Sequence, residues 1–119
     1  MSSWYAQKVD ISFEDNRFEQ DCNNHRSLVR RYGDRMARVI RRRLDDLDAA
    51  ETLEEMRNLA GRCHELIGDR AGQISLDLVH PERLIFVPAE DPLPTKPDGG
   101  LDWTQVRSVQ IIGIEDTHG

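Results

Sequence analysis

Residues 74–87 read ISLDLVHPERLIFV. In the first half, apolar residues alternate with Ser75 and Asp77, which is the period of two expected of a half-buried strand. The second half, from Arg83, is a run of apolar residues typical of a buried strand. The two runs flank a proline-containing turn at 79–82, so the segment predicts an antiparallel β-hairpin.

The residues before this hairpin predict one strand and two helices. Residues 9–13 alternate apolar and polar side chains and are expected to form a strand. Asp15 offers an N-cap to a helix that Gly33 can end, and its apolar face follows spacings of three and four through Phe18, Cys22, His25, Val29 and Tyr32. Asp34 caps a second helix, whose apolar stripe is Met36, Val39, Ile40, Leu44 and Leu47. Two amphipathic helices joined at one glycine predict a helical hairpin.

The rest of the chain predicts a short helix, a long loop and a final strand. Thr52 and Glu55 have the spacing of a capping box, and the helix they open should stop near Gly61. Residues 88–105 hold four of the five prolines and a Gly-Gly pair, so we expect a loop there. Residues 106–115 carry apolar side chains on both faces of a strand, which is typical of a central strand. Helices and strands in this order predict an α+β fold, with helices packed on a small, mainly antiparallel sheet.

Composition limits the class of protein. The chain has 119 residues and a mass of 13.7 kDa, and 38% of its residues are apolar while 32% are charged. We therefore expect one folded domain over residues 1–119. Its mean hydropathy is -0.64 and no apolar run has the length of a membrane-spanning helix, so we expect no membrane partner. The first residues lack the pattern of a secretory signal, which favours a cytoplasmic location.

Charge is unevenly distributed along the chain. The net charge of -6 would by itself argue against a nucleic-acid partner. Residues 26–43 nevertheless carry eight arginines and one acid, a window of +7 that leaves -13 for the remaining residues. This basic helix face has three interpretations: it binds RNA phosphates, it receives an acidic partner segment, or it is a solvated face paired with nearby aspartates.

The cysteines and histidines give little support for a metal site. Cys22 and Cys63 are far apart in sequence and form no CxxC motif, so neither a disulfide framework nor a zinc site is expected. Catalytic residue types cluster instead where strands begin or end, at 62–65, 68–70, 83 and 115–118. Histidines, acids and arginines together suit cleavage of an RNA phosphodiester without metal or cofactor, in which a base, an acid and phosphate-neutralising cations cooperate. Each of these residues also has a purely structural alternative to catalysis. His64 would be a hydrogen-bonded strand residue, Arg83 would form an ion pair with Asp69 or Asp77, and Asp116 would be a cap or form an ion pair.

Three motifs in order also resemble a known family. They are RCHELIGDRAGQ at 62–73, HPERLIF at 80–86 and IEDTH at 114–118. Together they resemble the RelE/ParE superfamily of bacterial toxins, and within it the HigB-like killer proteins. The resemblance implies a helical hairpin on a twisted antiparallel sheet. It also implies a ribosome-dependent mRNA endonuclease, inactivated by a helix-turn-helix antitoxin of the HigA-like kind in a complex of two toxins and two antitoxins.

Matching the family motifs residue by residue implies four catalytic residues: His64, Arg83, Asp116 and His118. The two histidines would transfer protons, Arg83 would stabilise the phosphate, and Asp116 would orient a histidine or transfer a proton. RNA contacts are expected from Arg70 and from the helix arginines Arg35, Arg38, Arg41 and Arg42. Trp103, at the end of the long loop, is expected to pack in the core, with base stacking or partner contact as the alternatives.

Two positions depart from the family pattern. Ile67 stands where HigB-like nucleases often carry a lysine, and Thr117 stands in place of an aromatic residue. These departures favour two alternatives to a nuclease: a non-catalytic, ParE-like toxin that acts through protein contacts, and a degenerate relative that mainly binds its antitoxin.

Overall fold

The hairpin at 74–87 forms the middle of a five-stranded sheet. The computed structural model describes residues 8–116, and it orders the strands β1-β5-β4-β3-β2. The strands are β1 (Asp10–Phe13), β2 (His64–Glu65), β3 (Ile74–Asp77), β4 (Glu82–Pro88) and β5 (Ser108–Asp116). β1 runs parallel to β5 and every other pairing is antiparallel. The expected mainly antiparallel α+β fold is confirmed, and the last strand is central as predicted.

In the described part of the chain, three α-helices precede the hairpin, and the prediction of a single helix at 16–32 is wrong. The chain forms α1 (Asn16–Cys22) and α2 (His25–Tyr32) before α3 (Asp34–Ala49). The break occurs because the side chain of Asn24 accepts a hydrogen bond from the Ser27 amide and so caps a new helix. His25 consequently lies exposed, outside the buried face to which its spacing assigned it.

The glycine between α2 and α3 does what the sequence predicts. Gly33 has φ +86 and accordingly ends α2 and starts α3 within one residue. Its left-handed conformation costs other residues conformational energy, while glycine adopts it freely. Asp15 caps α1 through a 2.9 Å hydrogen bond from the Arg17 amide, also as expected.

The hydrophobic core lies between the helices and one face of the sheet. Helix α3 contributes Ala37, Ile40, Leu44 and Leu47, all nearly inaccessible to solvent. From the sheet, the paired residues Leu76 and Leu84 and the paired residues Ile74 and Phe86 pack against them. No helix among residues 8–116 combines the length and apolar character that crossing a bilayer requires.

Strand β5 contains one irregularity that matters for the site. Ile85 pairs with Gly113 but Phe86 pairs with Ile111, so Ile112 is an extra residue on β5. A bulge of this kind reverses, beyond it, which residues of the strand face each side of the sheet.

Two other segments differ from the sequence predictions. Residues Leu53–Asn58 form a 3₁₀ turn in place of an α-helix, and Thr52 makes no side-chain cap. Glu55 reaches back to the amide of Glu51 instead of the amide of Thr52. The predicted loop runs from the end of β4 to a 3₁₀ turn at Trp103–Gln105, and it contains one β-bridge between Thr95 and Leu101.

Candidate active site

One side of the sheet carries a row of charged side chains. Asp77, Arg83 and Glu115 lie in register on β3, β4 and β5. Residues paired directly across antiparallel strands project from the same face, while successive residues alternate between faces. The neighbouring pair Leu76 and Leu84 belongs to the core, so the row lies on the opposite side. We call this side, with the residues that project from it or reach across it, the charged face.

Asp77 holds two arginines on the charged face. Its Oδ2 lies 2.7 Å from Nε of Arg62, and its Oδ1 lies 3.4 Å from Nη1 of Arg83. The side chain of Arg83 is only 11% exposed, whereas that of Arg62 is 69% exposed. The hydrogen bond from Arg62 to Asp77 raises the pKa of this arginine further, so it stays cationic. The ion pair from Arg83 to Asp77, which was the non-catalytic alternative for this arginine, is therefore present, and it orients a largely buried guanidinium. The catalytic role of Arg83 stays a prediction.

The backbone at Gly61 and Arg62 brings the second arginine to this position. Arg62 adopts φ +47, a left-handed conformation that costs a residue with a side chain about 1 kcal/mol or more. A side chain at Gly61 would meet Leu76 and Arg43 at 2.9 Å, so only glycine fits between the 3₁₀ turn and β3. Arg43 donates from Nε to the carbonyl oxygen of Asp77 at 2.7 Å and so connects α3 to the same point.

Arg70 reaches the charged face from the connection between β2 and β3. Its Nη2 lies 2.9 Å from Oε1 of Glu115, and its Nε donates to Oε1 of Gln73 at 2.8 Å. The side chain of Arg70 therefore reaches from this connection to β5. Ser75 on β3 pairs with Ile85 on β4. Both are inaccessible to solvent, although neither belongs to the core cluster on the other side of the sheet.

His64 shares the charged face through its pairing with Ser75. Its Nδ1 lies 2.7 Å from the carbonyl oxygen of Arg62. A carbonyl oxygen only accepts hydrogen bonds, so Nδ1 carries a proton and Nε2 of the neutral ring is left with a lone pair. The ring is half-buried and its Nε2 is chemically suited to take a proton from a substrate.

Of the two catalytic residues predicted near the C-terminal end, Asp116 and His118, the structure describes Asp116. Asp116 pairs with Glu82, one position beyond Glu115, so its side chain leaves the sheet on the side opposite the charged row. Its catalytic role stays a prediction. His118 lies outside the described residues, as does Thr117.

Glu115 and Arg62 belong to the clusters noted at 62–65 and 115–118, but neither of them was assigned a role in the site from the sequence. An uninterrupted alternation from the core residues Val109 and Ile111 would bury position 115 and put position 116 on the charged face. The bulge at Ile112 reverses this order, and Ile114 packs against the core instead. The sequence contains no signal for the bulge beyond the neighbouring Gly113, and none for the left-handed turn at Arg62.

The four helix arginines predicted to contact RNA fall into two groups. Arg41 donates from Nη1 to the carbonyl oxygen of Cys22 at 2.6 Å and lies 3.1 Å from Asp45, so it connects α3 to the end of α1. Arg38 pairs with Asp34 one turn earlier at 2.9 Å, although both side chains are more than 60% exposed. Within residues 8–116, Arg35 and Arg42 are exposed and make no ion pair. The same holds, in this described range, for Arg26 and Arg30 on α2.

A groove lies away from the charged face, between the helices and β5. It has a volume of about 590 Å³ and is lined by apolar and charged side chains, including Phe18, Tyr32, Met36, Ile112 and Ile114. Beside it, β5 extends past Phe13, the last residue of β1, and residues 113–116 pair only with β4 in the described part of the chain. This groove is concave but contains no histidine, so we place the candidate chemistry on the charged face.

The cysteines are not suited to nucleophilic or metal chemistry. Burial raises the pKa of both thiols, Cys22 and Cys63, to about 12, so both are protonated at neutral pH. Over the described range 8–116, no three or more His, Cys, Asp or Glu side chains are grouped closely enough to hold a metal ion.

Comparisons with known proteins give the fold. No protein-family model matches the chain, and no curated protein sequence matches it. Among solved structures, the chain is similar to that of the YoeB dimer from Staphylococcus aureus, with 17% identity and a TM-score of 0.51 over 89% of this chain and 93% of that one. It is likewise similar to a chain of the YoeB-YefM complex from Staphylococcus aureus, with 14% identity and a TM-score of 0.52 over 91% and 95% of the two chains. At these identities the similarity establishes a shared fold over nearly the whole chain.

Proposed function

We propose that the protein is the toxin of a type II toxin-antitoxin pair and cleaves mRNA on the ribosome. Its fold is that of YoeB, a toxin of the RelE superfamily, and YoeB-like toxins are ribosome-dependent endoribonucleases. The observation that carries the proposal is the charged face, where His64 shares one side of the sheet with Arg62, Arg70 and Arg83. A proton acceptor among several guanidinium groups suits attack on a phosphodiester.

The reaction follows from the residue types. Nε2 of His64 takes the proton of an RNA 2′-hydroxyl, whose oxygen attacks the adjacent phosphorus. The bond from phosphorus to the 5′-oxygen of the next nucleotide breaks, and an acid protonates that oxygen. Arg83 and Arg70 neutralise the charge that accumulates on the phosphate oxygens. Each must exchange its carboxylate partner, Asp77 for Arg83 and Glu115 for Arg70, for a phosphate of the substrate. A guanidinium binds phosphate and carboxylate by the same kind of charge-assisted hydrogen bond.

The acid is assigned by the family resemblance. His118 is the proposed proton donor, and Asp116 is proposed to orient it or to transfer a proton itself. Asp116 projects away from the charged row, so its proposed action is through the C-terminal residues that follow it. The chemistry as proposed requires no metal ion or cofactor.

Binding to the ribosome is proposed to involve the arginines of α2 and α3. Arg35 and Arg42 are the first candidates, and Arg38 is available because its exposed pair with Asp34 is weak. Arg41 was also predicted to contact RNA, but its hydrogen bond to Cys22 gives it a structural role. Phosphate contacts of this kind weaken steeply with added salt.

The proposed partner is a cognate antitoxin. One similar structure is a complex of YoeB with YefM, an antitoxin, which supports a toxin that is bound by a partner protein. Following the HigB-like resemblance, we propose a helix-turn-helix antitoxin and an assembly of two toxins and two antitoxins. A ribosomal target places the activity in the cytoplasm. A short helix-turn-helix reading frame beside this gene is the corresponding genomic expectation.

A second candidate function is a non-catalytic toxin that acts by protein contact. It is favoured by Ile67, which is 86% exposed at the position where HigB-like nucleases often have a lysine. Ile67 adds no cation to the charged face and could contact a protein partner. The same departure favours the degenerate-relative hypothesis, in which the protein mainly binds its antitoxin.

Induced expression in a bacterial host distinguishes these functions. The nuclease predicts growth arrest with mRNA cleavage at discrete positions, and loss of both in His64→Ala and in the His64→Ala, His118→Ala double variant. Lys96→Ala, at the exposed tip of the long loop, is the matched control and should arrest growth like the wild type. Equal arrest by wild type and double variant without cleaved mRNA would show that the toxin is non-catalytic.

A further inference from the structure

His64 lies on a strand that its own pairing holds weakly. β2 has two residues, pairs only with β3 and forms the edge of the sheet in the described chain. One backbone hydrogen bond continues the pairing on each side of it, from Leu66 to Gln73 and from Asp77 to Gly61. Short edge segments open locally at a low free-energy cost. A base must nevertheless stay within a fraction of an ångström of its productive position. Other contacts must therefore hold β2 if His64 acts as proposed.

A tryptophan from the long loop makes such a contact. Nε1 of Trp103 donates to Oε2 of Glu65, the second residue of β2, at 2.8 Å. Trp103 is 2% exposed, and the guanidinium of Arg57 lies over its ring at 3.8 Å from the centroid. The indole is thus buried, stacked and hydrogen-bonded, which restricts its orientation on every side.

The loop itself is closed by backbone hydrogen bonds. The amide of Asp102 donates to the carbonyl oxygen of Pro94 at 2.9 Å, and that of Lys96 donates to Gly100 at 2.7 Å. The carboxylate of Asp102 caps the turn that contains Trp103, accepting from the Thr104 amide at 3.1 Å. These contacts give the indole a fixed point of attachment despite the proline and glycine content of the loop.

Holding Glu65 also sets the orientation of His64. Adjacent residues of a strand project to opposite faces, and Glu65 pairs with the core residue Ile74 while His64 pairs with Ser75. Rotation of β2 about its axis would move both side chains together. We propose that the loop at 88–105 is a brace for the catalytic strand, in which Trp103 and Glu65 are positioning residues that fix the ring of His64. This inference rests on the proposed function for its catalytic consequence only.

The test uses variants that keep or remove the hydrogen bond. Glu65→Leu removes the acceptor and Trp103→Phe removes the donor but keeps an aromatic ring for packing. Glu65→Gln keeps an acceptor oxygen and is the conservative rescue, while Lys96→Ala is a control in the same loop. For each full-length variant, histidine-ring NMR reports the Nδ1 proton of His64, and cleavage on purified ribosomes gives kcat and KM. Thermal unfolding identifies variants that do not fold. If Glu65→Leu does not fold, Trp103→Phe is compared with the wild type instead.

The expected result is specific to positioning. Glu65→Leu and Trp103→Phe should broaden or lose the protected Nδ1-H signal of His64 and lower kcat on the order of tenfold to a hundredfold, with KM little changed. Glu65→Gln and Lys96→Ala should keep the Nδ1-H signal of His64 and the wild-type kcat. Folded Glu65→Leu and Trp103→Phe proteins with unchanged His64 signals and unchanged kcat would overturn the proposal. Changed His64 signals in a protein whose wild type cleaves no RNA would support the brace and refute the nuclease instead.

Discussion

Replacing Arg41 with alanine should destabilise the protein, whereas replacing its neighbour Arg42 should not. Arg41 connects α3 to the last carbonyl of α1 through a 2.6 Å hydrogen bond and also pairs with Asp45. Arg42 is exposed and forms no ion pair with residues 8–116. The two arginines are adjacent in sequence and carry the same charge, so the pair separates a structural role from an electrostatic one.

The magnitude follows from the two contacts of Arg41. A hydrogen bond from a charged donor contributes about 1.5–3 kcal/mol, and the lower end applies because the side chain remains 39% exposed. The exposed pair with Asp45, one helical turn away, adds about 0.3–0.5 kcal/mol. Arg41→Ala should therefore lower the free energy of unfolding by about 2 kcal/mol, while Arg42→Ala should change it by less than about 0.5 kcal/mol.

Urea denaturation of both variants and salt titration of ribosome binding provide the assay. If Arg42 contacts an RNA phosphate, Arg42→Ala should reduce the slope of log K against log salt by about one, and Arg41→Ala should leave that slope unchanged. The reasoning is refuted if the two variants are equally stable. It is also refuted if Arg41→Ala keeps full stability and loses salt dependence, since Arg41 would then be a phosphate contact.

Three further predictions concern the site, the thiols and the helix junction. Arg83→Lys keeps the charge but loses the planar fork beside Asp77, so cleavage should fall by about tenfold or more in the ribosome assay; an unchanged rate would mean that Arg83 does not clamp phosphate. Cys22 is buried with a pKa raised to about 12, so the folded state holds its proton above the ordinary thiol range. Unfolding releases that proton, so stability should be complete below about pH 9 and fall as pH rises toward 12. Cys22→Ala should flatten this fall in urea titrations, and an equally steep fall would implicate other groups. Gly33→Ala should cost about 1–2 kcal/mol because of φ +86, although its new methyl group would meet no atom within 4 Å; thermal unfolding measures the loss, and no loss would mean that the backbone relaxes.

Local patterns in the sequence predicted most of the fold. The hairpin at 74–87, the cap at Asp15 and the break at Gly33 each depend on residues within a few positions of one another, which is the range that propensity and periodicity describe. The helix from 16 to 32 failed for a local reason too, because Asn24 can cap a helix as readily as it can continue one. Thr52 offered a cap that the chain does not use, since the segment it precedes forms a 3₁₀ turn.

In the candidate site, the sequence likewise indicated individual residues but not the contacts between them. His64, Arg70 and Arg83 could be selected from the sequence by residue type and by family resemblance. The partners of these residues could not be selected. Glu115 faces Arg70 because of a bulge at Ile112, Arg62 meets Asp77 because of a left-handed backbone turn, and Trp103 meets Glu65 across 38 positions of sequence.

Most of the helices and strands, their amphipathic faces and the basic character of α2 and α3 could be inferred from the amino-acid sequence. Those properties arise from side-chain chemistry repeated at short, regular spacings. The folded arrangement, in contrast, sets which charges neutralise one another, which arginines stay available to a partner, and which contacts hold a two-residue strand. The physical reason is that ion pairs and hydrogen bonds depend on distances of about 3 Å, and one extra residue in a strand exchanges the side chains that meet there.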